Sequence, residues 1–198
     1  MLAETGRARE ILALEVDAIQ HALNLAAPAL PNVQFAQGGA EAIPAPDASF
    51  DIVLMFKSLH HVPVALMGQA LREISRVLRP GGVAWISEPV YAGDFNDILR
   101  LFHDEKEVRE KAFAAICQVV ESGCLTLERQ LFFNTRSQFD DFGQFDTRMI
   151  RVTHSDHQLS PALYQEVQEK FAAHLGPEGA TFLNPQRVDI LRKSLVLA

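Results

Sequence analysis

Apolar positions along this chain follow two rhythms. Short unbroken runs alternate with stretches in which apolar residues recur every three or four positions. Glu10–Val16 (EILALEV), Phe50–Phe56 (FDIVLMF) and Val83–Ser87 (VAWIS) are of the first kind, with Val33–Ala36 a briefer one. Such runs read as buried strands, and FDIVLMF reads as a strand covered on both faces of a parallel sheet. Asp17–Ala27 and Ala65–Leu78 are of the second kind. In the latter, Leu66, Ala70, Leu71, Ile74, Val77 and Leu78 share one helical face, and Arg72, Glu73 and Arg76 lie on the other. Asp17 is placed to cap its helix. Arg79-Pro80-Gly81-Gly82 stops the later one, because proline cannot continue a helix and glycine suits its end.

Strand, helix, strand in this order predicts right-handed crossovers and a mostly parallel, doubly wound α/β sheet with helices on both faces. After Pro89 the pattern becomes largely helical. Helices are expected over 94–105, 108–121, 137–150 and 161–175, with a strand at Leu125–Asn134 between them. Arg187–Arg192 reads as a final strand at the sheet edge. Ten of the 13 phenylalanines follow residue 90, so the helices there are expected to form a cap with its own small apolar core. The expected organisation is one domain, 1–198. Its core is 8–89 and 124–198, with cap elements at about 92–122 and 137–175.

Length and composition suit that picture. A chain of 198 residues, 48% hydrophobic and 22% charged, can bury a real core. Its net charge of -7 argues against a nucleic-acid backbone as partner, since phosphate binding favours a basic face. No apolar run approaches the ~20 residues of a membrane span, and the first residues lack the apolar core of a secretory leader. The two cysteines, Cys117 and Cys124, have no metal-type spacing and suit a reducing compartment. A cytoplasmic location is the expectation. His154 and His157 stand three apart, but no further ligand accompanies them, so THSDH reads as a polar loop and no metal is expected.

In an open parallel sheet, ligands bind at the carboxyl ends of the strands. Each strand end here carries candidate chemistry. Glu15 follows the first strand, Gly38-Gly39-Ala40-Glu41-Ala42-Ile43-Pro44 the second, Lys57-Ser58-Leu59-His60-His61 the third and Glu88-Pro89-Val90-Tyr91 the fourth. A carboxylate offers two acceptor oxygens to a vicinal diol. An imidazole titrating near neutral pH can act as a general base.

In their order and spacing, the acid at Glu15, the GGAEAIP loop, SFDIVLMFKSLHHV and ISRVLRPGGVAWISEP resemble the middle of a class I S-adenosylmethionine-dependent methyltransferase, of the type-11 subgroup that acts mostly on small molecules. The resemblance implies a Rossmann-like fold and S-adenosylmethionine as cofactor, with S-adenosylhomocysteine as product. It places Glu15 on the cofactor ribose and Gly39, Ala40 and Glu41 along the adenine. Phe56 and Lys57 would lie against the cofactor. Gly39 stands where the family usually has an aspartate that accepts from the adenine amino group. The segment around His60 and His61 would flank cofactor and substrate, with His61 as candidate base and His60 and Tyr91 toward the substrate. Glu88 is a further substrate-facing candidate. The family's first strand and Gly-x-Gly-x-Gly loop have no counterpart here except Gly6, read as the loop's last glycine.

Three explanations stand for that gap: a chain that is part of a longer one, a truncated product that depends on a partner, or a relative that has lost cofactor binding. The expected function is therefore methyl transfer from S-adenosylmethionine to a small molecule, with a homodimer possible. The alternative is a non-catalytic binding or scaffold domain of the same fold. A nicotinamide-dependent oxidoreductase on a similar sheet lacks its G-x-G-x-x-G loop here.

Overall fold

A computed structural model describes residues 5–152 and 157–195. The first strand, β1 (Ile11–Glu15), runs into helix α1 (Ala18–Ala26), and Asp17 caps that helix by accepting the amides of Ile19 and Gln20. Strand β2 (Val33–Gln37) returns parallel to β1, with Glu15 opposite Gln37. Then follow β3 (Phe50–Phe56), a single 3-10 turn over Leu59–His61, helix α2 (Val64–Val77) and strand β4 (Leu78–Pro89), which pairs in parallel with β3. This segment follows the hydrophobic pattern closely.

The later half departs from it in three places. The helix expected over 94–105 is short, α3 (Asp94–Leu99), whereas α4 (Lys106–Glu121) is longer than expected. Strand β5 (Thr126–Phe139) runs through the start of the helix expected over 137–150. Only α5 (Phe142–Phe145) and a π turn at Asp146–Ile150 are helical there. After α6 (Pro161–Ala172) and the two-residue β6 (Leu175–Gly176) comes β7, which spans Gly179–Arg192. It is not the sheet edge: β7 lies between β4 and β5, antiparallel to both. Its inner position is visible in burial, since Val188, Asp189 and Leu191 are inaccessible.

Two sheets result, β1-β2 and β3-β4-β7-β5, with β6 added to β7. In the larger sheet β7 alone runs against the rest. Among the described residues, strands β1 and β3 each pair on one side only. The second consequence of this break is that β3 is not covered on both faces. Val53 and Met55 pack inward, while Ile52, Leu54 and Phe56 are 59%, 39% and 62% exposed.

The core has two parts. One packs α2 and α4 against the sheet through Leu71, Ile74, Ile86, Ile116 and Leu191, so α4 belongs to the central layer rather than to a cap. The other is aromatic. Phe139, Phe145, Phe171 and Phe182 are buried against one another, with Phe95, Phe102 and Phe142 around them. The phenylalanines after residue 90 thus largely fill a core of their own, in edge-to-face and tilted contacts that favour aromatic rings.

Candidate functional site

The carboxyl ends of the strands carry two adjoining sets of groups. The first belongs to β1 and β2. Glu15 ends β1, and one of its oxygens accepts the Asp17 amide at 2.9 Å. The Glu15 carbonyl accepts the Gly38 amide at 3.1 Å, which ties the start of the glycine loop to the end of β1. At Gly39 a Cβ atom would fall 2.2–2.5 Å from the carboxylate of Glu41. Only glycine leaves room for that carboxylate to fold back over the chain. An acidic group therefore occupies the space that a side chain at position 39 would fill.

Helix α2 clamps this loop. Gln69 donates to the Glu41 carbonyl at 2.9 Å, and Glu73 accepts the Ile43 amide at 3.1 Å. Arg76 donates to the carbonyls of Ile43 and Ala45 and to the Asp47 carboxylate, at 2.7–2.9 Å. Its hydrogen bond to Glu73 is the main force holding that carboxyl below its ordinary value. Glu73 and Arg76, assigned by periodicity only to the polar side of the helix, are thus loop anchors. Asp51 meets Arg79 at 2.7 Å on the surface.

The second set follows β3 and β4. Lys57 adopts a left-handed conformation, φ 53°, rare for a residue with a side chain. It turns the chain out of β3 into the 3-10 turn bearing His60 and His61. Glu88 fixes that turn from the end of β4. One oxygen accepts the amides of Ser58 and Leu59 at 3.1 and 2.9 Å, and the other meets His60 Nδ1. Glu88 is buried to 2% exposure, so it anchors the turn and does not face a substrate. On the opposite side of His60, Nε2 lies 3.7 Å from Glu105 Oε1. His103 Nε2 is 3.0 Å from the same oxygen, while Arg109 holds Glu105 Oε2 at 2.6 Å.

These groups border a cleft of about 200 Å³. Lys57, His60, His61, Glu105 and Arg109 form one side, and Phe95, Leu99, Asn184 and Gln186 the other. The side-chain oxygens of Asn184 and Gln186 are buried and lack a hydrogen-bond donor among the described residues. Burial, reinforced by the neighbouring His60, pushes the His61 imidazole below its ordinary value, although the residue keeps an exposed edge at the cleft. Burial pushes Glu105 upward, but Arg109, His60 and His103 together hold its carboxyl low. A wider hollow of about 440 Å³ is lined by Asp146, Arg151, His157 and Tyr164, none of them at the ends of β1 to β4.

Among the sequence candidates, the structure groups Glu15 with Gly39, Ala40 and Glu41, and Lys57 with His60 and His61. Phe56 ends β3 with its ring exposed. Tyr91 lies outside the cleft lining. Burial and a hydrogen bond to Asp104 push its hydroxyl upward. Gly6 does not join the site. It lies two residues from Ala8, whose carbonyl accepts from Asn32 at the amino-terminal end of the β1-β2 pair, opposite Glu15. Its backbone is left-handed, φ 68°, with open space around it. His154 lies outside the described residues, and the His157 ring packs edge-on against Phe102 and His103. Sequence reasoning missed Glu105, Arg109, Asn184 and Gln186, which come from α3–α4 and β7 and carry no local motif.

The chain is similar to several known proteins. The family model described as Methyltransferase domain matches residues 1–86. The ubiquinone/menaquinone biosynthesis C-methyltransferase UbiE of Hahella chejuensis is 53% identical over 51 residues, covering 26% of this chain and 20% of that protein. The methyltransferase YcgJ of Bacillus subtilis is 29% identical over 137 residues, covering 64% and 53%. The chain therefore spans about half or less of the length of these curated relatives. The crystal structure of YcgJ superposes with a TM-score of 0.59 at 21% identity, covering 94% of this chain and 83% of that one. A SAM-dependent methyltransferase from Methanosarcina mazei superposes with a TM-score of 0.56 at 14% identity, covering 98% and 86%. The Methyltransferase domain model thus matches the amino-terminal part of the chain, and these solved structures share its fold.

Proposed function

We propose that the chain transfers the methyl group of S-adenosylmethionine to a small-molecule acceptor bound in the cleft beside His61. The observation that carries this reading is the Glu41 carboxylate folded over Gly39. It returns an acceptor to the place where the family usually has aspartate. With Glu15 one strand away, the donors fit such a cofactor: one carboxylate for a ribose diol, a second for an adenine amino group and the backbone of Gly39 and Ala40 between them. The cofactor supplies a sulfonium methyl already primed for displacement.

The protein's task is then alignment, which can supply a large part of the rate. The turn fixed by Glu88 presents His60 and His61 to the cleft. His61, kept neutral by its surroundings, is placed to take a proton from an acceptor hydroxyl or amine. Asn184 and Gln186 offer buried oxygens that call for donors on the acceptor, because an unpaired buried acceptor costs about 1–3 kcal/mol. The aromatic cluster, with Phe95 at the cleft, supports an acceptor with an apolar part.

A second reading is a binding or scaffold domain without catalysis. The one-sided pairing of β1 and β3 and the exposed row Ile52, Leu54 and Phe56 favour it. A partner would cover that row, and a second copy would make the homodimer.

Calorimetric titration with S-adenosylhomocysteine separates the two. Micromolar binding that Glu15→Ala abolishes supports the enzyme reading. A folded chain that binds none supports the scaffold reading.

A further inference from the structure

The cluster of His60, His61 and Glu105 carries more than a single base needs. One ligating atom from each lies within 4.8 Å of the others. Tetrahedral nitrogen and oxygen ligands at about 2.0–2.1 Å from zinc stand roughly 3.3 Å apart. The His60 Nε2 to Glu105 Oε1 separation of 3.7 Å is already close to that. His61 is exposed, and a turn of its side chain inward would close the wider separations.

The surroundings are those of a metal centre rather than of a chance meeting of side chains. Glu88 holds His60 Nδ1, so the Nε2 lone pair points away from that carboxylate toward Glu105. A carboxylate behind a ligating imidazole fixes its orientation and raises its basicity. Arg109 takes Glu105 Oε2, leaving Oε1 for an ion. His103 Nε2 is 3.0 Å from that oxygen, a contact that an ion there would replace. The carboxylates of buried Glu88 and partly buried Glu105 outnumber the single guanidinium of Arg109, and Lys57 remains exposed at the mouth. A cation is therefore electrostatically favoured between them.

We infer that His60, His61 and Glu105 form a binding site for a divalent transition ion of the zinc class, open toward the cleft. Two imidazoles and one carboxylate suit zinc, cobalt or nickel better than magnesium or calcium, which prefer all-oxygen shells. Three protein ligands leave a position for an oxygen atom of whatever occupies the cleft. The ion and a proton compete for the His61 lone pair. With the ion bound, His61 is a ligand, and the ion itself lowers the proton affinity of a coordinated hydroxyl.

The test uses the full chain stripped with a chelator and titrated with Co²⁺, read by its visible absorption, followed by displacement with Zn²⁺. One equivalent per chain and intense bands of a four- or five-coordinate site are expected. His61→Ala and Glu105→Gln should each weaken binding more than the about 10–100-fold seen when only an outer partner of a ligand is lost. His21→Ala, on α1, should leave binding unchanged. Circular dichroism checks the fold of each variant, and His61, being exposed, is the safer substitution. No saturable binding to the folded chain overturns the inference. So does one-equivalent binding that survives both His61→Ala and Glu105→Gln. The readout is independent of S-adenosylhomocysteine binding, so its failure leaves the proposed methyl transfer standing.

Discussion

Glu88 accepts the amide of Leu59 at 2.9 Å while its other oxygen meets His60 Nδ1, so one buried carboxylate fixes both the backbone and the ring of the turn beyond β3. Glu88→Ala leaves two amides and an imidazole without their acceptor, in a largely buried turn. Each buried group deprived of its partner costs about 1–3 kcal/mol. A loss of roughly 3 kcal/mol is expected by denaturant unfolding. Glu88→Gln keeps one acceptor oxygen and should lose clearly less.

The clamp on the loop after β2 makes an acid-sensitive contact. Glu73 is held below its ordinary value by Arg76, so the unfolded chain binds its proton more readily. Its contribution is fully present above the unfolded value near 4.5 and is lost as pH falls through the lower folded value. Stability of Glu73→Gln should therefore vary less with pH below 4.5 than that of the unaltered chain. Parallel stability curves for the two would count against the clamp.

Position 39 offers an exchange experiment. Gly39→Asp alone should weaken S-adenosylhomocysteine binding, because it displaces the Glu41 carboxylate and sets a second negative charge beside it. Glu41→Ala alone removes the acceptor. The double variant restores a carboxylate without the second charge. Each single change is expected to weaken binding about tenfold, near 1.4 kcal/mol, with the double variant back toward the starting affinity. Calorimetric additivity of the two losses would show that the residues do not share one space.

Lys57 sits at φ 53°. Asparagine tolerates that region and valine does not. Lys57→Val is expected to be less stable than Lys57→Asn by about 1–2 kcal/mol. Equal unfolding midpoints would mean that the turn relaxes when its residue changes.

The amino-terminal half is legible because its elements satisfy their own local patterns. FDIVLMF pairs as a parallel strand, and the next apolar face buries Leu71 and Ile74. What local pattern does not carry is the identity of neighbours. Arg187–Arg192 has the same strand character at an edge or in the middle, and only pairing on both sides shows it to be inner. Glu73 and Arg76 look solvated on a helical wheel, yet the loop packs over them. Ser137–Phe139 extends the ladder opposite Phe182–Ala180, where long-range pairing overrides helical spacing. Likewise, HHV gives the two histidines away, but nothing near Glu105 or Gln186 marks them as companions.

The place of β7 also sets the order of assembly. Val83 pairs with Arg192 and Pro89 with Gln186, so the middle of the large sheet is built from segments made far apart in time. During synthesis on the ribosome, β3, α2 and β4 emerge as a local unit, but β4 waits with one edge bare until Arg192 has been released. Late closure of distant strands slows folding and leaves a sticky intermediate. A nascent chain stalled before residue 179 should accordingly hold chaperones, and release them once β7 slides into place.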